Sequence, residues 1–140
     1  MKNPRSIAAL GALAVLLYLP PSVQADPMRD LNLINQSNAA LAQNQSEAAM
    51  QFASQITDAS LRTAAVGNAM LGAMNNGQLA IARQGLPMID DQQLKDAWLG
   101  NLAAASLNAA DCRGATEMIG QIIDTNLKSV WEMNLKLRCK

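Results

Sequence analysis

The two cysteines are the residues best suited to covalent chemistry. Cys112 and Cys139 are the only cysteines among 140 residues. In a secreted chain two cysteines most simply form one disulfide, and two separate thiols are the alternative. A zinc site would need more Cys or His ligands, and the sequence has no His at all. We therefore predict a disulfide between Cys112 and Cys139 and no metal site.

The acidic residues offer little for acid–base or nucleophilic catalysis. Without His there is no imidazole base and no ordinary catalytic triad. Asp90 and Asp91 are adjacent, but they fall at a predicted turn. A glycosidase requires two carboxylates that face each other across a cleft. Glu47, Glu117 and Glu132 occupy different positions within the 33-residue repeat described below, so they are not expected to face one another. The sequence therefore predicts a protein that is not an enzyme and that uses no cofactor.

Residues 1–25 have the features of a secretory signal peptide. Lys2 and Arg5 give a positive start, an apolar run follows, and Val23-Gln24-Ala25 fits a signal-peptidase site. The apolar run is too short for an ordinary membrane span. We predict cleavage after Ala25, a periplasmic or secreted domain over 26–140, and no stable membrane insertion; a retained amphipathic anchor is the alternative.

The charge and aromatic content of the mature chain limit its partners. Without Lys2 and Arg5, nine basic residues face eleven acidic residues, and no basic cluster exists. Only Phe52, Trp98 and Trp131 remain as aromatic residues. Nucleic acids and anionic membranes are recognised by basic patches, and single-stranded nucleic acid also by stacking aromatics. We therefore expect neither nucleic acid nor membrane as a partner.

A threefold internal repeat with a 33-residue period organises the chain. No gap is needed between residues 49 and 134. A fixed period of this size predicts a solenoid of small units that cannot bury their apolar faces alone, and such arrays usually bind other molecules. The aligned sets are Ala49, Ala82 and Ala115; Ile56, Ile89 and Ile122; Asp58, Asp91 and Asp124; Leu61, Leu94 and Leu127; Arg62, Lys95 and Lys128; Asn68, Asn101 and Asn134; Gly67 and Gly100; Trp98 and Trp131.

Apolar and small residues recur at helical spacing within each repeat, which predicts seven helices. They form three hairpins and one closing helix, over residues 28–43, 44–57, 59–75, 78–90, 92–108, 112–123 and 126–138.

Capping residues and helix breakers set the predicted bounds. We expect Asp58, Asp91 and Asp124 to cap the helices that follow them. Asn44 with Glu47 has the spacing of a capping box. Asn76-Gly77 predicts a helix stop, while Gly85 and Pro87 should kink the fourth helix or end it early.

The pattern resembles the tetratricopeptide repeat, a helix–turn–helix unit of nearly the same length. That family places an Ala five residues into the second helix, where Ala49, Ala82 and Ala115 stand here. A large apolar residue follows four positions later, where Leu86 and Ile119 fit and Ala53 departs. The Leu-Gly pair and the closing Pro of the family are not preserved. A Sel1-like or other α-solenoid subfamily is the alternative.

This resemblance implies an all-α, right-handed solenoid of three helical hairpins and a C-terminal capping helix. Its concave groove would be lined by the first helix of each hairpin and would bind a helix or extended segment, with Asn side chains meeting the partner's backbone. Gly67 and Gly100 would let that segment approach closely. The alternative is that these residues pack between repeats. The implied groove positions are Leu31, Ile34, Asn38 and Leu41; Ala64, Gly67, Leu71, Met74 and Asn75; Ala97, Gly100, Ala104, Leu107 and Asn108.

In this architecture Cys112 begins a second helix and Cys139 ends the closing helix. Their disulfide would attach the terminal helix to the array, whose end needs such support, and the loop-entropy model gives about 3.5 kcal/mol.

These observations favour a periplasmic, non-enzymatic module that binds a partner protein or peptide as a scaffold in envelope or secretion machinery. An immunity protein that neutralises a secreted toxin, and a binder of a small apolar ligand, are the alternatives. The sequence makes no prediction of oligomeric state.

Overall fold

A computed structural model describes residues 26–140, so the predicted signal peptide lies outside the described residues. The described chain is all-α, as predicted, with seven α-helices and no strand. A short 3₁₀ turn, Leu86–Met88, follows the fourth helix. The helices are α1 Pro27–Ala42, α2 Ser46–Ser54, α3 Ala59–Asn75, α4 Leu79–Arg83, α5 Gln92–Asn108, α6 Cys112–Gln121 and α7 Thr125–Arg138.

Among residues 26–140, no helix combines the length and the apolar character that crossing a membrane requires.

Three aspartates one repeat apart begin α3, α5 and α7. Asp58, Asp91 and Asp124 are the N-cap residues, and each carboxylate accepts a hydrogen bond from a backbone N–H of the first turn. The bond satisfies a donor that has no partner within the helix. This part of the prediction is confirmed. The donors are Leu61, Leu94 and Leu127, at 2.9, 2.7 and 2.7 Å.

The same turn closes α1, α3 and α5. Asn44, Gly77 and Ala110 lie 33 residues apart and all have positive φ, at 59°, 70° and 58°. After each of them the next N–H bonds to a carbonyl five residues earlier, the pattern of a Schellman motif. These bonds run from Gln45 to Ala40, from Gln78 to Ala73 and from Asp111 to Ser106.

The predicted capping box at Asn44 is wrong. Asn44 ends the turn after α1 in the left-handed conformation, and Gln45 is the N-cap of α2 without a side-chain hydrogen bond to it. Asn tolerates positive φ better than most residues, so it fits this position as well as it fits a cap.

The fourth helix ends early, as Gly85 and Pro87 predicted. α4 stops at Arg83, and Pro87 lies in the 3₁₀ turn that follows. Gly85 is buried, and a Cβ there would stand 2.6 Å from Met70 of α3. The glycine therefore lets this segment pack closely on α3.

Helices that follow one another along the chain pack together, and the contact between α4 and α5 is the least extensive of these. In addition α1 packs against α3 and α5 against α7, whereas α3 and α5 approach each other less closely. One hydrophobic core runs through all of these contacts. Its members include the repeated sets Ala49, Ala82 and Ala115, and Ile56, Ile89 and Ile122, all at most 2% exposed.

A buried aspartate, Asp30, connects α1 to the start of α3. Its carboxylate accepts the backbone N–H groups of Thr57 and Asp58, both at 2.9 Å, and the Thr57 hydroxyl at 2.8 Å. The Thr57 N–H is the main cause that lowers the pKa of Asp30 below its ordinary value, and burial opposes it. We call this arrangement an aspartate clasp.

Asp96 of α5 forms a second aspartate clasp two repeat lengths later. Its carboxylate accepts the N–H groups of Ile123, at 3.2 Å, and Asp124, at 2.8 Å, and the Gln92 side chain at 2.8 Å. Burial alone would raise the pKa of Asp96, but these hydrogen bonds outweigh it and the pKa is lowered. The clasp connects α5 to the start of α7.

The middle repeat has no aspartate clasp. Thr63 of α3 occupies the position equivalent to Asp30 and Asp96. The clasps therefore coincide with the close pairs α1–α3 and α5–α7, and the position without one coincides with the looser pair α3–α5.

The predicted disulfide is confirmed. Cys112 and Cys139 are bonded, with their Cα atoms 5.9 Å apart, and the bond joins the start of α6 to the residue after α7. A disulfide in this position is compatible with an oxidising compartment.

Candidate partner-binding face

The outer sides of α1, α3, α5 and α7 present related residues at the 33-residue step. Spacings of three and four place Ala64, Asn68, Leu71 and Asn75 on one side of α3, and the other three helices repeat this pattern. We call this surface the first-helix face. Its residues are Leu31, Asn35 and Asn38 of α1; Ala64, Asn68, Leu71 and Asn75 of α3; Ala97, Asn101, Ala104 and Asn108 of α5; and Val130, Asn134 and Leu137 of α7.

The predicted groove residues divide into exposed and buried groups. The exposed residues are Leu31, Asn38, Ala64, Leu71, Asn75, Ala97 and Asn108. The partly buried residues are Ile34, Leu41, Met74 and Ala104, of which all but Ala104 pack against the core. The buried residues are Gly67, Gly100 and Leu107.

Gly67 and Gly100 were expected to let a partner segment approach closely, but tryptophan side chains of this protein cover both of them. A Cβ at Gly67 would stand 3.0 Å from the Trp98 ring, and one at Gly100 would stand 2.6 Å from Trp131 Nε1. Each glycine is therefore covered by a tryptophan one helix pair further along the chain. Gly67 and Gly100 let α5 and α7 approach; they do not admit a partner segment.

Leu41 is also a contact between helices. A Cβ at Gly72 would stand 2.6 Å from a Leu41 methyl group, so this side chain of α1 fills the space that Gly72 leaves on α3. The exposed members of the predicted set are thus the ones available to a partner, although Asn108 Oδ1 already accepts a hydrogen bond from Arg138 at 2.7 Å.

The sequence prediction missed the part of the face that lies on α7. Val130 and Leu137 follow Ala97 and Ala104 by one repeat, and they are 55% and 66% exposed. The 33-residue step contained this signal. The predicted groove positions ended with Asn108, although the repeat continues to the end of α7.

An asparagine row crosses all four helices. Asn35 extends the row Asn68, Asn101 and Asn134 by one repeat towards the N-terminus. Asn35, Asn68 and Asn101 are exposed, whereas Asn134 is partly buried and donates to the Val130 carbonyl at 3.1 Å. Each amide offers two donors and an acceptor, which can pair with the backbone of an extended chain.

Clefts lie between successive helices of the face. Between α3 and α5, one cleft of about 360 Å³ lies beside Leu71, Leu94 and Trp98. A second, of about 490 Å³, lies between Asn75 and Asn108 near the other end of the same helices. The cleft between α5 and α7, beside Trp131, is smaller at about 230 Å³. The largest of these openings therefore adjoins the repeat without an aspartate clasp. The clasped pair α1 and α3 also borders a cleft, of about 370 Å³, beside Asn68 and Leu71.

Two of the three repeated basic residues, Arg62 and Lys128, contribute to the fold. Arg62 Nη1 donates to the Ile56 carbonyl at 3.1 Å, and Lys128 Nζ donates to the Gly120 carbonyl at 3.2 Å. These cations lie at the ends of α2 and α6, where helix carbonyls favour positive charge. None of the residues that define the first-helix face is charged. The Arg138 guanidinium of α7 nevertheless borders the cleft beside Trp131 and donates to Asn108 Oδ1 at 2.7 Å.

Away from this face, one ion pair links α4 to the start of α6. Arg83 Nη2 lies 3.4 Å from an Asp111 carboxylate oxygen and 3.4 Å from Ser106 Oγ. A Cβ at Gly114 would overlap both Arg83 and Asp111, so the glycine makes room for the pair. Among residues 26–140, no three His, Cys, Asp or Glu residues are grouped as a metal site.

Comparisons of this chain with protein-family models, with curated proteins and with solved structures find no match.

Proposed function

We propose that this protein is a non-enzymatic binding module of the periplasm, built as an α-solenoid related to the tetratricopeptide repeat. In this proposal three hairpins and the closing helix α7 form the array, and a partner protein binds along the first-helix face. The observation that carries the proposal is the repetition of exposed apolar residues and asparagines at a constant 33-residue step.

The chemistry of the face favours an extended peptide segment as the ligand. Exposed Leu31, Leu71, Val130 and Leu137 offer apolar contacts on α1, α3 and α7. The asparagine row offers hydrogen bonds that do not depend on the partner's side chains. Backbone pairing combined with apolar contacts is a common mode of peptide recognition.

A capture experiment with matched variants tests the proposal. Wild-type protein, Leu71→Asp and Gln51→Asp would be used to capture partners from a periplasmic extract. Leu71 and Gln51 are both exposed, but Gln51 lies on α2, away from the first-helix face. We expect Leu71→Asp to lose the captured partner because a carboxylate is desolvated in the interface, and Gln51→Asp to retain it.

Folding must be measured alongside capture. Both variants should keep the circular dichroism and melting temperature of the wild type. Equal capture by a folded Leu71→Asp variant would contradict binding through this face. The identity of the captured protein would distinguish a scaffold in envelope assembly from an inhibitor of a secreted toxin.

A small apolar ligand is the second candidate, because the large side chains of Leu71, Leu94 and Trp98 border one cleft of the face. Thermal stabilisation of the protein by lipid extracts, with no protein captured, would favour it. The length of the face across four helices favours a peptide chain.

A further inference from the structure

The cleft beside Trp98 lies between the two first helices that no aspartate clasp joins, and the large apolar side chains of Leu71, Leu94 and Trp98 line it. We propose that this cleft is the anchor subsite of the face and receives one bulky, uncharged apolar side chain of a partner peptide. This inference rests on the proposed function and specifies where on the face the binding energy is concentrated.

The first argument is the missing aspartate clasp. In the outer repeats, the Asp30 and Asp96 carboxylates accept hydrogen bonds from backbone N–H groups at the starts of α3 and α7, respectively. Within residues 26–140, no side chain accepts the corresponding N–H groups of Asp90 and Asp91, and the Asp90 carboxylate instead lies 3.8 Å from Arg62. The start of α5 is therefore connected to α3 by a partly exposed ion pair and not by buried hydrogen bonds to its N–H groups, and a cleft lies between the two helices.

The second argument is the lining of that space. Ala64 and Leu71 of α3 lie opposite Leu94 and Trp98 of α5, and no charged residue contributes to the wall. Ser60, Thr63 and Asn68 also border the cleft but carry no charge. A charged occupant would lose hydration without gaining an ion of opposite charge, so the cleft selects against charge. A volume of about 360 Å³ can accommodate an aromatic or large aliphatic side chain, which gains most from such burial.

The third argument is continuity with an interface inside the protein. Trp98 already covers Gly67 with one part of its ring, and the cleft lies beside this contact on the same helices. An apolar side chain of the partner would extend the packing that joins α3 to α5. It would occupy the space that the looser approach of these helices leaves open.

Asn68 favours a peptide over a free apolar molecule as the occupant. This exposed residue borders the cleft beside Trp98 and also the cleft between α1 and α3. Its amide can therefore pair with the main chain of the residue whose side chain enters the cleft. A free hydrocarbon would fill the cleft but leave these hydrogen-bonding groups without a new partner.

The probe experiment uses N-acetyl-phenylalanine amide, N-acetyl-aspartate amide and benzyl alcohol. The chain has two tryptophans, so the indole N–H signals of Trp98 and Trp131 in a nitrogen-15 spectrum report on two separate clefts. We expect the phenylalanine amide to shift the Trp98 signal to saturation at roughly millimolar concentration, as a single anchor group allows. The aspartate amide should leave Trp98 unchanged, and benzyl alcohol should bind at least threefold more weakly.

Three results would overturn the inference. These are no Trp98 response to the phenylalanine amide, an equal response to the aspartate amide, or equally tight binding of benzyl alcohol. The last result would mean that the cleft takes a free apolar molecule and that Asn68 adds nothing.

A pair of equivalent substitutions separates the anchor subsite from the face as a whole. Ala64 and Ala97 lie one repeat apart, and both are exposed. Ala64→Phe should fill the anchor cleft and weaken binding of the phenylalanine amide at least tenfold, while Ala97→Phe should change it less than twofold. Circular dichroism confirms that both variants are folded.

The same variants distinguish failure of the inference from failure of the proposed function. Loss of partner capture by Ala64→Phe alone supports the anchor subsite. Equal loss by both variants leaves the proposed function intact and overturns the anchor subsite. Full capture by both variants, together with full capture by Leu71→Asp, overturns both proposals.

Discussion

Trp98 covers Gly67 so closely that a Cβ at residue 67 would stand 3.0 Å from Trp98 Cζ2. One repeat later, Trp131 covers Gly100 in the same way, with 2.6 Å to its Nε1 atom. These tryptophan–glycine pairs fix the approach of successive first helices. A charge placed at either glycine therefore tests folding and not partner binding.

We expect Gly100→Ala to lower the free energy of unfolding by roughly 1–3 kcal/mol, because the new methyl group displaces Trp131. Chemical denaturation measures this change. Gly120→Ala is the matched control, since Gly120 lies in α6 and a Cβ there meets no atom within 4 Å. That variant should be neutral or more stable by up to about 1 kcal/mol. A stable Gly100→Ala protein with an unchanged Trp131 indole signal in a nitrogen-15 spectrum would contradict the close contact.

Acid should weaken the fold through Asp30 and Asp96. Both carboxyls have folded-state pKa values below the ordinary value of 3.8. Their contribution is therefore complete above about pH 5 and is lost as the pH falls through 3.8 towards the lower folded-state pKa values. Melting temperatures between pH 7 and pH 2 should show this decline. The double variant Asp30→Asn with Asp96→Asn should start from a lower stability and decline less, and an identical pH profile would contradict the prediction.

Thr63→Asp should create the missing third aspartate clasp. A carboxylate at residue 63 would accept hydrogen bonds from the N–H groups of Asp90 and Asp91. Arg62, which lies 3.8 Å from the Asp90 carboxylate, would balance part of the added negative charge. We expect a gain of roughly 1 kcal/mol in the free energy of unfolding at pH 7, a typical net value for buried hydrogen bonds. Thr63→Asn is the uncharged control and should gain less. A loss of stability in Thr63→Asp would show that the middle repeat cannot form the clasp.

Ala110→Gly should stabilise the protein, whereas Gly77→Ala should destabilise it. Both residues have positive φ, which costs an L-residue with a Cβ about 1–2 kcal/mol and costs glycine nothing. Part of the gain at residue 110 is offset by the greater freedom of glycine in the unfolded chain. We expect changes of about 0.5–1 kcal/mol in opposite directions, measured by thermal unfolding. Changes of the same sign would contradict the shared turn geometry.

Replacement of Cys112 and Cys139 by serine should lower the free energy of unfolding by up to about 3.5 kcal/mol on the loop-entropy model. The helical circular dichroism should remain, because the core does not include the disulfide. Reduction of the wild type should have the same effect on the melting temperature. A reduced protein as stable as the oxidised one would contradict a role of the bond in holding α7.

Local signals predicted the helices, while contacts between helices limited the prediction of the candidate site. Asp58 and Gly77 act through their own backbone neighbourhood, so their positions could be inferred from the sequence. The 33-residue alignment contained both Gly67 and Trp98, but which residue covers which depends on the spacing of α3 and α5. Asp30 was missed because it bonds to residues 27 and 28 positions away, at Thr57 and Asp58.

The clefts beside Leu71 and Asn68 have no charged residue in their walls, which has a consequence for the conditions under which this part of the face can act. Binding that releases no counterions, and that gains nothing from attraction between ions, is nearly independent of ionic strength. A partner held through Leu71 and the asparagine row should therefore remain bound in dilute and in concentrated salt alike. An uncharged surface provides no electrostatic steering, so the association rate constant should be ordinary. A long lifetime of the complex should then come from slow dissociation.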